Sequence, residues 1–260
     1  MSAPMSVALD LTGRRVLVAG ASSGVGRAVA EVAARAGAHV ALLARRRDRL
    51  DATVAALTKE GRSALALACD VTDEAQCRSA VRQASERLGG LDALVYASGL
   101  SPLRLLAEAG QADWRAVLDV NLIGASLVTA AALDALRASR GRAVYISSYA
   151  VRQSLPGLAL YRVSKVALAA LIECWRMEHP DVDFTRIIVG NTGGTEFANA
   201  WGGEAIASAM KVWVERNLFP AATMMSLSVL AEAILSVIAV RGYVDDIAIM
   251  PRTRDPAASA

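Results

Sequence analysis

The sequence predicts an α/β fold: a doubly wound, seven-stranded parallel sheet in a single domain. Three observations predict it. Short β-branched or apolar runs alternate with longer helical patterns along the whole chain, as a sheet covered by helices on both faces requires. A glycine-rich turn carries the first run directly into a helix. The 260 residues, 54% hydrophobic and 20% charged, can bury one sizeable core and exclude a disordered chain.

In chain order, strands are expected at residues 15–19, 39–44, 64–68, 93–97, 142–147, 184–189 and 247–250, each a short apolar run, with helices between them. The helix over 24–36 stops at Gly37, and that over 72–88 opens behind Asp70 and closes at Gly89 and Gly90. Helices over 114–139 and 161–178 are apolar around most of their circumference, which suits a place between the sheet and another subunit. Residues 191–220 mix Gly193, Gly194, Gly202 and Gly203 with Trp201, Met210, Trp213, Phe219, Met224 and Met225 at and just beyond their end. They read either as a lid closing over something flat and apolar or as a surface excursion covering core. Residues 252–260 read as a loose tail. No repeat or linker divides the chain, so 1–260 is one domain.

Lys and Arg number 28 against 25 Asp and Glu, and a net charge of +3, evenly scattered, is no footprint for nucleic acid. Cys69, Cys77 and Cys174 are odd in number and lack CxxC spacing, so reduced, mostly packed thiols are expected, with no metal. Residues 1–10 resemble neither a secretory signal nor an anchor. Asp134 and Glu232 cut the longer apolar stretches below the ~20 residues of a membrane span. A cytoplasmic protein without a membrane partner is the expectation.

Gly20, Ser22, Ser23, Gly24, Val25 and Gly26 form the turn after the first strand. Gly20 lets the chain turn, Gly24 lets backbone approach a pyrophosphate, Gly26 lets helix lie close to strand, and the N–H groups of the helix start face the phosphates. The second strand ends at Ala44, where an acidic side chain would grip the ribose of NAD(H); Arg45 follows instead and can meet a 2′-phosphate. NADP(H) is therefore expected over NAD(H).

Tyr161 and Lys165 stand four residues apart at the start of a helix, on one face, and Ser148 ends the preceding strand, where open parallel sheets bind ligands. An ammonium beside a phenol stabilises the phenolate and moves it toward exchanging a proton with an alcohol or carbonyl oxygen. His39, opening a strand, and His179, ending a helix, take no part.

Jointly these residues resemble the short-chain dehydrogenases/reductases, a Rossmann-like family, over roughly residues 11–251. The glycine turn resembles the family's TGxxxGxG with Ala19 in place of Thr. The resemblance implies that Asp70 and Val71 contact the adenine, that Asn121 kinks its helix and holds a relay water, and that Ser148 binds the substrate oxygen. It makes Tyr161 the acid/base and Lys165 the residue that binds the nicotinamide ribose and lowers the tyrosine pKa. Ser98 and Gly99 fall in the family's Asn-Asn-Ala-Gly, here Tyr96-Ala97-Ser98-Gly99. Thr195 closes a segment, Gly190 to Thr195, that departs from the usual Pro-Gly-x-x-x-Thr but keeps the threonine for the carboxamide or phosphate. A homodimer or homotetramer built on the two apolar helices is implied. The expected function is reversible hydride transfer between NADP(H) and the carbonyl or secondary alcohol of a largely apolar small molecule. The alternatives are a dinucleotide-binding regulator or sensor without turnover, and a relative using the same residues for dehydration or epimerisation.

Overall fold

The computed structural model describes residues 9–199, 201–216, 218 and 224–251; the expected tail over 252–260 and Phe219 lie outside them. Seven strands, β1 (Arg15–Ala19), β2 (His39–Ala44), β3 (Ala64–Ala68), β4 (Ala93–Tyr96), β5 (Arg142–Ser148), β6 (Asp183–Val189) and β7 (Asp246–Ile249), pair in parallel in the order β3-β2-β1-β4-β5-β6-β7. The order reverses between β1 and β4, so their carboxyl ends flank a crevice, the ligand position of an open α/β sheet.

Side-chain alternation splits the core in two. Val16 and Val18 point to one face, against α1 (Gly24–Arg35), α2 (Arg47–Lys59) and α8 (Leu227–Ala239). Leu17 and Ala19 point to the other, against α3 (Glu74–Leu88), α5 (Gly124–Ser139) and α6 (Ala159–Glu178). Both faces being covered, every residue of β4 is buried. Two further α-helices are α4 (Gln111–Leu118) ahead of α5 and α7 (Gly203–Glu215) within the expected lid, with short 3-10 turns at Leu106–Glu108 and Tyr149–Val151.

Some boundaries differ from expectation for local reasons. The cap of α3 is Asp73, whose carboxylate accepts from the Gln76 N–H at 3.0 Å; Asp70 instead accepts from the backbone and hydroxyl of Thr72 and closes the preceding turn. The helix expected over 114–139 is α4 and α5 joined by a π turn, Asp119–Ile123. Asp134 does not interrupt this rod: Gln111–Ser139 is long and apolar enough, by length and composition, to cross a membrane. On one side of it Val128, Ala132 and Leu136 are fully buried against the sheet. Cys69 and Cys77 are buried as expected, whereas Cys174 is exposed; all three are free thiols.

Candidate active site

The carboxyl ends of β1, β4 and β5 open into a cavity of about 380 Å³. Backbone shape makes one end of it. Gly20 has φ +84°, and a Cβ there would stand 2.6 Å from the Ser98 backbone nitrogen, so only glycine lets β1 turn against the end of β4. A Cβ on Gly26 would lie 2.7 Å from the Gly20 carbonyl carbon; α1 therefore starts pressed onto the turn that precedes it. Ser23, its N-cap, makes no side-chain capping bond, and Ser22, Ser23, Gly24 and Val25 line the cavity. First-turn N–H groups without a side-chain partner, at the positive end of a helix dipole, suit an anion. A dinucleotide pyrophosphate fits this cradle, which a side chain would fill.

Of the three arginines after β2, Arg45 lines the cavity with its side chain 72% exposed and its guanidinium 4.0 Å from the Asp70 carboxylate. Arg46 is the one held on the glycine turn, donating to Ser22 Oγ at 2.9 Å and Ser23 Oγ at 2.8 Å, and to Glu196 Oε2 at 2.7 Å. Arg49 also pairs with Glu196, while Arg47 pairs with Asp51 on its own helix. Hydrogen bonds from Arg49 and then Arg46 hold the Glu196 carboxyl down at about 2. Asp70 and Val71 line the same end, with Ser98, Gly99 and Thr195 further along.

The other end holds the expected acid/base set. Asn121 sits in the π turn, fully buried: its Oδ1 accepts from Leu100 N at 2.7 Å and its Nδ2 donates to Leu100 O and Ser164 Oγ, each at 2.9 Å. The kink is thus locked to the loop after β4. Tyr96, at the position where the resemblance leads one to expect an asparagine, adds a second brace by donating to Val120 O at 2.5 Å. Past β6, the altered segment from Gly190 is fixed by backbone: Met225 N donates to Asn191 O and Gly193 N to Met225 O, each at 3.0 Å.

Lys165, 3% exposed, donates from Nζ to Ile146 O at 2.8 Å and stands 5.7 Å from the centroid of the Tyr161 ring. Burial lowers its pKa to about 8. Burial also pushes Tyr161 up to about 12, with a hydrogen bond to Ser148 acting the other way. Desolvation outweighs the Ser148 hydrogen bond on Tyr161, and the Lys165 ammonium is engaged by the Ile146 carbonyl. Ser148 Oγ also accepts from Ala150 N at 3.2 Å.

An aromatic ladder runs out from the phenol. Phe197 meets Tyr161 edge-on at 5.0 Å between centroids, Trp201 meets Phe197 at 5.2 Å and Trp213 meets Trp201 at 6.2 Å. Trp201 Nε1 donates to Ser101 O at 2.6 Å and Trp213 Nε1 to Pro156 O at 2.9 Å. Of the expected lid methionines, Met225 is buried, Met210 half-buried and Met224 exposed. His39 and His179 stay outside, His179 beside Arg137 at 2.8 Å. Among the described residues no His, Cys, Asp or Glu cluster could hold a metal.

Of the residues the sequence singled out, Gly20, Ser22, Ser23, Gly24, Val25, Tyr161 and Lys165 line this crevice, while Ser148 reaches it through its bond to Tyr161 and Asn121 is buried behind it. Sequence reasoning missed Arg46, Ser164, Phe197 and Glu196. Ser164 lies inside the quoted Tyr-to-Lys motif, and Glu196 and Phe197 directly follow Thr195.

A family model described as short chain dehydrogenase matches residues 14–204. A glycine betaine reductase of Emericella nidulans is 36% identical over 199 residues, 75% of this chain and 16% of that protein. An 11-beta-hydroxysteroid dehydrogenase-like protein of Arabidopsis thaliana is 33% identical over 184 residues, 70% of this chain and 60% of its own length. The match thus spans less than two thirds of both relatives. A solved short chain dehydrogenase of Burkholderia cenocepacia, in complex with NADP, superimposes with a TM-score of 0.81 at 28% identity, covering 92% of this chain and 97% of that one.

Proposed function

The chain belongs to the short-chain dehydrogenase/reductase family of oxidoreductases, and from that premise we propose that it reduces the carbonyl of a largely apolar small molecule with NADPH, reversibly. The observation that carries this reading is that Tyr161 and Lys165 line the far end of the crevice that begins at the glycine turn, with Ser148 hydrogen-bonded to the phenol and Asn121 buried behind them. The bound dinucleotide supplies the hydride.

The residues do the rest. Gly20, Gly24 and Gly26 let backbone N–H groups take the pyrophosphate, Thr195 closes over it, and Asp70 and Val71 border the adenosine. Arg45 and Arg46 give the 2′-phosphate two guanidiniums, which supports NADP(H) over NAD(H). Tyr161, kept protonated across neutral pH by burial, gives its proton to the oxygen that becomes the alcohol, and Ser148 holds that oxygen. Lys165 would orient the nicotinamide ribose and, with Asn121 and a water between them, return to the phenol the proton it gives up, the proton coming in turn from solvent. Phe197, Trp201 and Trp213 offer an apolar wall to the substrate. The exposed sides of α5 and α6 suit pairing with a second copy, in a cytoplasmic homodimer or homotetramer.

The test is NADPH oxidation followed by the nicotinamide absorbance across a panel of ketones and aldehydes, with Tyr161→Phe as the control. Turnover is expected on apolar ketones and should fall about 10²- to 10⁴-fold in the variant while NADPH still binds. Turnover that persists without the phenol would overturn the mechanism. Tight NADPH binding with no turnover on any substrate would point to a sensor.

A further inference from the structure

Glu196 is the one carboxylate that the described structure places on both Arg46 and Arg49, and it comes from a segment 147 residues away from Arg49 in sequence. Its neighbour Phe197 lies edge-on against the catalytic phenol. Two adjacent residues thus touch the two ends of the crevice. We propose that Glu196 is an internal stand-in for the cofactor's 2′-phosphate, holding Phe197 over Tyr161 until a phosphorylated ribose displaces it. The inference rests on the reading of the crevice as an NADP(H) site.

Charge and geometry decide the exchange. Arg46 is already oriented by Ser22 and Ser23 of the phosphate turn, so its remaining N–H groups face whichever anion arrives. Glu196 offers one negative charge on two oxygens. A ribose 2′-phosphate brings about −1.5 to −2 on three. Both ion pairs are well wetted, the side chains of Arg46, Arg49 and Glu196 being 40%, 45% and 36% exposed, so neither is strong enough to resist replacement. Glu196 and Phe197 also share one turn, closed by Asn199 N donating to Glu196 O at 3.1 Å. Moving the carboxylate therefore moves the ring on Tyr161. NAD(H), with no 2′-phosphate, leaves the carboxylate in place, so cofactor choice and access to the phenol become one event.

The experiment separates this from the cofactor reading by using adenosine 2′,5′-bisphosphate and adenosine 5′-monophosphate, which carry no nicotinamide. Calorimetry gives affinity, and hydrogen exchange of residues 192–199 gives release of the segment. In the wild-type protein the bisphosphate is expected to bind more tightly than the monophosphate and to speed exchange in that segment at least about threefold, while the monophosphate leaves it unchanged. Glu196→Gln should bind the bisphosphate about fivefold more tightly than wild type, the monophosphate equally, and exchange fast without ligand. Unchanged bisphosphate affinity in the variant, or a segment that stays protected when the bisphosphate binds, would overturn the stand-in alone. No preference for the bisphosphate in either protein would overturn it together with the NADP(H) reading.

Discussion

The glycine turn and the Glu196-to-Trp213 segment border the same crevice and are built by opposite means. The turn is shaped by backbone atoms so close that a single methyl group collides with them at Gly20 and Gly26. The segment is held by side chains: two wetted ion pairs, three edge-on ring contacts and two indole hydrogen bonds. Each of these is worth roughly a kcal/mol or less and can be broken singly. The contrast shows how one site can be rigid where its ligand is constant and adjustable where a substrate must enter.

The same substitution in both regions is the strongest way to break the comparison. Gly26→Ala puts a Cβ against backbone that has nowhere to go. It is expected to cost about 1–3 kcal/mol of stability, lowering Tm by several degrees, and to weaken NADPH binding by more than about tenfold. Gly203→Ala, where a Cβ meets nothing within 4 Å, should stay within about 0.5 kcal/mol of wild type and bind NADPH normally. Thermal unfolding and a fluorescence titration of NADPH check both. Equal effects would mean that the two regions are not built differently.

Most of the turn was readable beforehand because its signal is local. A glycine pattern between an apolar run and a helix needs nothing distant to interpret it, and all seven strands end within one residue of expectation because short apolar runs stop at turn residues. Tyr161 and Lys165 shared a face by helical spacing alone. The kink at Asn121 was expected from the family resemblance alone, since no period in the sequence marks a π turn, and the direction of the Tyr161 shift depended on burial that only packing sets. Glu196 was invisible for a plainer reason: its partners lie at the other end of the domain. Nearness to the strand end points to Arg45, and says nothing about which way the guanidinium of Arg46 turns.

Between these extremes lies Lys165, rigidly buried but chemically variable. Its pKa falls from 10.5 to about 8 on folding, so the unfolded chain binds more protons between those values and stability gained from this group rises with pH across that window. Tyr161 acts in the other direction at higher pH: its raised pKa gives stability that is present below pH 10 and lost as pH climbs through about 12. Comparing wild type with Lys165→Met cancels the tyrosine contribution. Denaturant unfolding should show the difference shifting toward wild type by on the order of 3 kcal/mol from below pH 8 to pH 10.5. A difference that does not change with pH would mean that Lys165 is solvated, and that the catalytic end is looser than the turn.

Trp201→Phe tests the adjustable side with the smallest change. An aromatic ring stays beside Phe197 and Trp213, but a phenyl replaces the larger indole and the Nε1 donor to Ser101 O is lost. Losing one hydrogen bond costs about 1 kcal/mol, but in a segment that opens ahead of the domain that cost falls on local opening and not on global unfolding. Tm should therefore stay within about 1 °C of wild type while KM for an apolar ketone rises about twofold to fivefold and kcat changes less. A fall in Tm to match Gly26→Ala would show the ladder melting with the sheet, and the segment would then have to count as core, as rigid as the turn it faces.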